Sequence, residues 1–222
     1  MSFEAVIFDL DGVICHTDEY HYLAWKSMAD SIGVYFDREI NNRLRGVSRM
    51  ASLDIILERC PEPLTRERKE ALAQSKNELY RDYLGQMTPG DLSDEVKDTL
   101  NTLRRLGLRL AIGSSSKNAP LILERIGLGN FFDAVSDGNN ITHSKPDPEV
   151  FLKAAEMLGI PPERCLVVED AVSGAEAGHA GGMKVACVGD AAKARAGDYN
   201  MGAFSELVDI ASTANDVSEV SE

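Results

Sequence analysis

The sequence has little positive charge. Its 222 residues include 23 Lys and Arg against 36 Asp and Glu, which gives a formal net charge of −13. A chain this acidic is poorly suited to nucleic acid or to an anionic membrane surface, so neither is expected as a partner. An anionic substrate would have to be bound by a few cations that are placed locally against the overall field.

The sequence also lacks the patterns of a zinc protein, a secreted protein or a membrane protein. Its four cysteines, at positions 15, 60, 165 and 187, form no C-x-x-C or other zinc spacing. The first residues have no basic region of a signal peptide, and no apolar run approaches the about 18 residues of a membrane span. We therefore expect a reduced, soluble, cytoplasmic protein.

Apolar residues make up 44% of the chain and charged residues 27%, which excludes a mostly disordered protein. Short apolar runs alternate with helical patterns over most of the length. Strands are predicted at 5–8, 110–113, 134–135, 165–168 and 184–188, and helices at 96–106, 118–126, 148–158 and 171–180. This alternation predicts a doubly wound, Rossmann-like parallel sheet with helices on both faces.

Residues 15–87 interrupt the alternation, since they are polar and have helical periodicity only. The simplest arrangement is an α/β core domain made of residues 1–14 and 88–222, with a helical cap domain, residues 15–87, inserted after the first strand. The acidic residues 213–222 show no periodicity, which predicts a frayed tail.

Polar side chains follow the strands at the edge where a doubly wound sheet binds its ligands. In chain order they are Asp9 and Asp11, Ser114, Lys145, and Glu169 with Asp170. Each alone has an ordinary explanation, because an Asp after a strand often caps the next helix. Together, four carboxylates require a cation, and an all-oxygen site favours Mg²⁺. Lys145 and Ser114 would then contact a substrate phosphate.

These motifs resemble those of the haloacid dehalogenase superfamily of phosphotransferases, in the same order along the chain. They are Asp9-x-Asp11-Gly12-Val13, Ser114, Lys145-Pro146 and Glu169-Asp170. The resemblance implies that Asp9 is the nucleophile and forms an aspartyl-phosphate, and that Asp11 is the general acid/base. It also implies a Mg²⁺ site made by Asp9, Asp11 through its backbone carbonyl, Asp170, and Glu169 as a ligand or a partner of the ligands.

The insert resembles the cap of one family in that superfamily, the β-phosphoglucomutases. The resemblance is carried by Thr17-x-x-Tyr20-His21-x-x-x-Trp25, Leu44-Arg45-Gly46-Val47-Ser48-Arg49, Ser52, Lys76-Asn77 and, in the core, Ser114-x-Ser116-Lys117-Asn118. It implies a distal phosphate site made by Arg49, Ser116, Lys117 and Asn118. It also implies substrate contacts by Thr17, Gly46 and Ser52, and a sugar pocket walled by Trp25, Leu44 and Val47. His21 and Lys76 would position Asp11 and the sugar, and Thr17 would lie at the hinge between cap and core.

The activity implied by this resemblance is the reversible conversion of β-D-glucose 1-phosphate to glucose 6-phosphate by a monomeric enzyme. Glucose 1,6-bisphosphate would be the intermediate and primer, and the cap would close to exclude water. Two alternatives remain: a Mg²⁺-dependent phosphatase for a small sugar phosphate, in which water attacks the aspartyl-phosphate, and a non-catalytic sugar-phosphate sensor.

Three cap residues also have plainer interpretations. Trp25 could be part of the cap core, His21 could be a structural residue of an amphipathic helix, and Arg49 could lie in the first turn of a solvated helix.

Overall fold

The computed structural model describes residues 2–216 and contains one six-stranded sheet. The strands are β1 (Ala5–Phe8), β2 (Arg109–Gly113), β3 (Ala134–Ser136), β4 (Cys165–Glu169), β5 (Lys184–Cys187) and β6 (Tyr199–Asn200). Their order is β3-β2-β1-β4-β5-β6, and every neighbouring pair is parallel. The doubly wound parallel sheet predicted from the alternation is confirmed.

Helices cover both faces of this sheet. Their bounds are α1 (Asp18–Ser31), α2 (Arg38–Asn42), α3 (Arg49–Leu57), α4 (Arg66–Leu84), α5 (Asp94–Arg105), α6 (Ala119–Arg125), α7 (Glu149–Leu158), α8 (Val172–Ala180), α9 (Gly189–Lys193) and α10 (Leu207–Asp216), with single 3₁₀ turns at Pro89–Asp91, Pro162–Arg164 and Phe204–Glu206.

Alternate side chains of β1 point into two separate hydrophobic clusters. Val6 and Phe8 pack with α5, α6 and α10, whereas Ala5 and Ile7 pack with α7 and α8. Both sets are fully buried, because successive side chains of a strand face opposite sides and both sides here are covered by helices. This explains why β1 reads as a continuous apolar run.

The segment of helices α1 to α4 has a hydrophobic cluster of its own, which includes Trp25, Phe36, Leu53 and Leu72. α4 begins at an N-cap, Thr65, whose hydroxyl accepts a hydrogen bond from Arg68 N at 3.3 Å. At its other end, Tyr80 and Leu84 belong to the cluster that contains Val6 and Phe8 of β1. The helical segment is therefore packed within itself and also against the core.

Elements that the periodicity did not indicate are short or late in the chain. α2, α9 and the two-residue β6 contain too few residues for a periodic pattern. The frayed tail predicted from residue 213 overlaps the end of α10, which continues to Asp216. Residues 217–222 lie outside the described residues. Among residues 2–216, no helix combines the length and apolarity needed to cross a membrane.

Candidate active site

The candidate site lies at the carboxyl ends of β1, β2 and β4. Asp9 directly follows β1, and its N–H donates to Val168 O of β4 at 2.9 Å. Ser114 follows β2, and Glu169 is the last residue of β4. The strand order reverses direction between β1 and β4, which is the usual position of a ligand crevice in a doubly wound sheet.

Lys145 lies at the centre of the acidic residues. Its ammonium donates to Asp9 Oδ1 and, at 2.5 Å, to Glu169 Oε1, and its side chain is fully buried. Burial alone would lower the pKa of Lys145, but the two carboxylates raise it above its ordinary value. The other oxygen of Glu169, Oε2, accepts from the N–H groups of Asp170 and Ala171, both at 2.9 Å. Lys145 is thus a permanently charged group held beside Asp9.

Three carboxylates converge closely enough to share a cation. Asp9, Glu169 and Asp170 each offer an oxygen, and these atoms all lie within 4.8 Å of one another. Burial raises the pKa of Asp9 well above its ordinary value and that of Asp170 to about 7, and in both cases the charge of Glu169 adds to the effect. Concentrated negative charge on oxygen ligands fits a hard divalent cation.

Two glycines make room for these carboxylates. A Cβ at Gly12, whose φ is +94°, would lie 2.3 Å from Asp170 Oδ2, and a Cβ at Gly174 would lie 1.8 Å from Glu169 Oε1. Any larger residue at either position would displace a candidate ligand.

The carboxylate of Asp11 is not part of the group formed by Asp9, Glu169 and Asp170. Asp11 is held by the residue that precedes α1. Its Oδ1 accepts a hydrogen bond from the hydroxyl of Thr17, the N-cap residue of α1. Burial raises the pKa of Asp11, and the Thr17 hydrogen bond opposes this only in part. A carboxyl group with a raised pKa is suited to carry a proton, as the predicted acid/base role requires.

The cap places a group of cations opposite the acidic residues. Lys76 Nζ lies 2.9 Å from His21 Nδ1, 4.7 Å from the ring centre of Trp25 and 4.4 Å from that of Tyr80. Burial and the charge of Arg49 lower the pKa of Lys76 to about 7. Burial and the charge of Lys76 lower the pKa of His21 well below its ordinary value, so His21 is a neutral acceptor for the ammonium.

The residues predicted to form a distal phosphate site lie on both sides of the cleft and line the same cavity. Arg49 is the first residue of α3, where it is half-buried, and burial and the charge of Arg81 lower its pKa. On the core side, Ser114 Oγ accepts from Ser116 N at 3.1 Å and Ser116 Oγ accepts from Asn118 N at 3.2 Å. These bonds fix the loop between β2 and α6.

A single cavity of about 460 Å³ joins the acidic and cationic groups. The predicted residues that line it are Asp9, Asp11, His21, Trp25, Leu44, Gly46, Val47, Arg49, Ser52, Lys76, Ser114, Ser116, Lys117, Asn118, Glu169 and Asp170. Two predicted residues are not among its lining. Lys145 reaches the site only through Asp9 and Glu169, and Thr17, predicted to bind substrate, is fully buried against Asp11 instead.

Some residues at the cleft received no role from sequence reasoning. Asn77 accepts a hydrogen bond from Asn118 Nδ2 at 3.0 Å, and Arg81 donates to Asn118 Oδ1 at 3.2 Å. Arg45 contacts carboxylates on the cap and on the core. Asn77 and Arg45 belong to the motifs that resemble the β-phosphoglucomutase cap, and this resemblance could have identified them as site residues. Their contacts could not be predicted, because they join segments that lie far apart in the sequence.

The fold, the strand-end carboxylates and the inserted helices define a class of phosphoryl-transfer protein. The family model described as haloacid dehalogenase-like hydrolase matches residues 3–182, and the chain belongs to this family.

Within that class the chain is similar to sugar-phosphate enzymes. It is 42% identical to a β-phosphoglucomutase of Bacillus subtilis strain 168 over 84% of this chain and 83% of the relative. It is 33% identical to a fructose-1-phosphate phosphatase of Escherichia coli K12 over 82% of this chain and 94% of the relative. The crystal structure of a β-phosphoglucomutase from Clostridium difficile superposes with a TM-score of 0.90 at 32% identity, covering 98% of this chain and 99% of that one.

Proposed function

We propose that this protein is a phosphomutase that interconverts β-D-glucose 1-phosphate and glucose 6-phosphate. The observation that carries the proposal is a cavity of about 460 Å³ that is lined both by carboxylates and by cations. Asp9, Asp11, Glu169 and Asp170 line it, and so do Arg49, Lys76 and Lys117. One phosphate at Asp9 needs only Lys145 and a metal cation, whereas a sugar bisphosphate also uses the cations that line the cavity. The 42% identical Bacillus subtilis relative supports the same reaction.

In the proposed reaction Asp9 carries the phosphoryl group between substrates. A hydroxyl of the bound monophosphate attacks the phosphorus of phosphorylated Asp9, and the bond from phosphorus to the Asp9 oxygen breaks. Asp11 accepts the proton of the attacking hydroxyl; its raised pKa makes it a stronger base, and the Thr17 hydroxyl holds its Oδ1. The product of this step is glucose 1,6-bisphosphate.

The second half of the reaction is the reverse of the first with the sugar turned around. Asp9 attacks the other phosphate, the bond from that phosphorus to the sugar oxygen breaks, and Asp11 returns its proton to that oxygen. The phosphate formed in the first half then occupies the distal site of Arg49, Ser116, Lys117 and Asn118. Trp25, Leu44 and Val47 line the cavity, and the sugar would lie along them.

Mg²⁺ is the cation that we propose for the oxygen ligands Asp9, Glu169 and Asp170, with the backbone carbonyl of Asp11 as a further ligand. It would supply positive charge to the oxygens of the transferring phosphoryl group. Lys145, already charged and buried at Asp9, adds a second positive charge there, and Ser114 adds a hydroxyl.

The second candidate function is a Mg²⁺-dependent phosphatase for a small sugar phosphate. The similarity to a fructose-1-phosphate phosphatase favours it, and the core residues suffice for it. The cations of the cap argue against it, since hydrolysis of one phosphate has no use for a second anion site. A non-catalytic sensor would not require the paired Asp9 and Lys145.

A coupled assay separates these functions. The purified protein is given β-D-glucose 1-phosphate, Mg²⁺ and a trace of glucose 1,6-bisphosphate, and glucose 6-phosphate and inorganic phosphate are both followed. We expect isomerisation much faster than phosphate release, and the α-anomer serves as the matched control. Phosphate release without isomerisation would identify a phosphatase, and the absence of both products would favour a sensor.

We also propose that the protein is a monomer and is cytoplasmic. Size-exclusion chromatography tests the first proposal, and cell fractionation tests the second.

A further inference from the structure

The loop between α2 and α3 is the part of the cap that makes the most direct polar contacts with the core. Ser115 Oγ donates to the backbone oxygen of Gly46, and Ser173 Oγ donates to that of Arg45, each at 3.3 Å. Gly46 has a φ of +72°, and a Cβ there would lie 2.6 Å from Ser173 Oγ. The backbone of this loop is thus seated against two separate core segments.

Arg45 adds charge to this contact. Its Nη2 lies 2.5 Å from Asp18 of the cap, and its Nη1 lies 3.1 Å from Asp190 and 3.4 Å from Asp170, both of the core. One planar guanidinium therefore bridges a carboxylate of the cap to two carboxylates of the core. A guanidinium suits this task because its donors are fixed in a fork.

Asp190 connects the Arg45 bridge to the candidate cation site. It lies in α9, and the next residue, Ala191, donates its N–H to the backbone oxygen of Asp170 at 2.8 Å. Asp190 is thus connected through the backbone to Asp170, which contacts Arg45 directly and is one of the candidate ligands. The Arg45 side chain is 27% exposed and that of Asp170 is 10% exposed, whereas that of Asp190 is 58% exposed, so solvent screens the contact of Arg45 with Asp170 less than its contact with Asp190.

Arg43, two residues earlier, pairs with a carboxylate of the cap instead of the core. It forms two hydrogen bonds, of 2.8 and 2.7 Å, to Glu58 of the cap, and both side chains are half exposed. The loop therefore carries two arginines, one that joins the cap to itself and one that joins the cap to the core.

We propose that the bridge from Arg45 to Asp190 and Asp170 is a latch that holds the cap closed and so decides whether the phosphoryl group passes to sugar or to water. This rests on the proposed mutase function. Arg45 is a positioning residue, since it contacts the ligand Asp170 and the cap but need not touch the sugar. Loss of the bridge shifts the cap toward open forms, in which water reaches phosphorylated Asp9.

The first test measures closure without turnover. Trp25 is the only tryptophan, it is 2% exposed and it lines the cavity, so acrylamide quenching of its fluorescence reports the opening of the cleft. Arg45→Ala and Asp190→Asn should each raise the population of open cap by about three- to tenfold, as expected for a partly buried ion pair. Quenching should rise in both variants. Arg43→Ala, which removes the same charge from the same loop, should match the wild-type protein.

The second test measures the fate of the phosphoryl group. With β-D-glucose 1-phosphate as substrate, the ratio of phosphate release to isomerisation should rise about three- to tenfold in Arg45→Ala and in Asp190→Asn. It should stay at the wild-type value in Arg43→Ala. Arg45→Lys keeps the charge but not the fork, so it should fall between the wild-type protein and Arg45→Ala. Equal melting temperatures exclude unfolding as the cause.

Wild-type quenching in Arg45→Ala would overturn the latch, and so would an equal rise in Arg43→Ala. Raised quenching with an unchanged partition ratio would overturn the link between the latch and water. Absence of isomerisation in the wild-type protein would instead contradict the proposed function, and the quenching comparison would still decide whether Arg45 latches the cap.

Discussion

The core side and the cap side of the cleft concentrate charges of opposite sign. On the core side, acidic groups surround the buried ammonium of Lys145, which forms hydrogen bonds with Asp9 and Glu169. On the cap side, the charge that most perturbs Lys76 is that of Arg49, and the charge that most perturbs Arg49 is that of Arg81. The core therefore concentrates negative charge around one cation, whereas the cap concentrates cations beside one another.

The difference shows what each side is prepared to bind. Raised carboxyl pKa values at Asp9 and Asp170 mean that the core side would be stabilised by added positive charge. A lowered pKa at Lys76 means that the cap side would be stabilised by added negative charge. The divalent cation and the second phosphate that we propose would meet these two needs, in a protein whose net charge of −13 would otherwise repel the phosphate.

The largest expected effect is on the core side. Asp9→Asn should abolish isomerisation and phosphoenzyme formation, because an amide is not a nucleophile although it keeps the shape of the carboxylate. Acid-stable labelling by a radioactive phosphate donor and the coupled assay measure both losses. Asp98→Asn, at an exposed carboxylate of α5, is the matched control. Substantial activity in a contaminant-free preparation of Asp9→Asn would contradict the role of Asp9.

The next effect concerns Asp11, the proposed proton carrier. Asp11→Asn should slow turnover by about two to four orders of magnitude, the usual contribution of general acid–base catalysis. Mg²⁺ affinity, measured by titration calorimetry, should change much less, because the Asp11 carboxylate is not one of the three clustered groups. The role would be wrong if the variant lost Mg²⁺ binding but kept its rate at saturating metal.

Arg49→Ala tests the cap side alone. It should weaken binding of glucose 6-phosphate and the bisphosphate by about ten- to a hundredfold, since it removes a charge-assisted contact to phosphate. Hydrolysis of acetyl phosphate, whose single phosphate would bind at Asp9 and Lys145, should barely change. Arg59→Ala, which removes a cap arginine outside the cavity lining, is the control. Equal losses in both reactions would make Arg49 structural, and no loss in either would favour the phosphatase.

The smallest effect is on stability. The pKa of Lys76 is about 7 in the folded protein and 10.5 ordinarily, so between these pH values the unfolded chain binds more protons at this site. Stability should therefore rise with pH across that window, and Lys76→Met should abolish this rise. Urea unfolding at pH 7 and pH 9 measures it, with exposed Lys97→Met as the control. An identical pH dependence in wild type and Lys76→Met would mean that Lys76 is not buried as a perturbed cation.

The core side was more predictable from sequence than the cap side, for a physical reason. Asp9, Ser114 and Glu169 stand at the ends of apolar runs, and parallel strands bring such ends to one edge whatever the details of packing. The position of Lys76 beside His21 depends instead on how α4 packs against α1, which periodicity does not specify. Resemblance to a known cap named these two residues, but it did not reveal the shift in the pKa of either.

The sequence by itself determined the parallel α/β core, the helical insert and the order of the acidic motifs, because alternating hydrophobicity and residue spacing are local properties of the chain. Only the tertiary structure decided that Thr17 contacts Asp11 rather than the cavity, and that Asp11 stands apart from the three clustered carboxylates. It also decided that Arg45 meets Asp190, 145 residues away, while Arg43 meets Glu58, 15 residues away. Such choices depend on the distances and burial of side chains from distant segments, which exist only once the chain has folded.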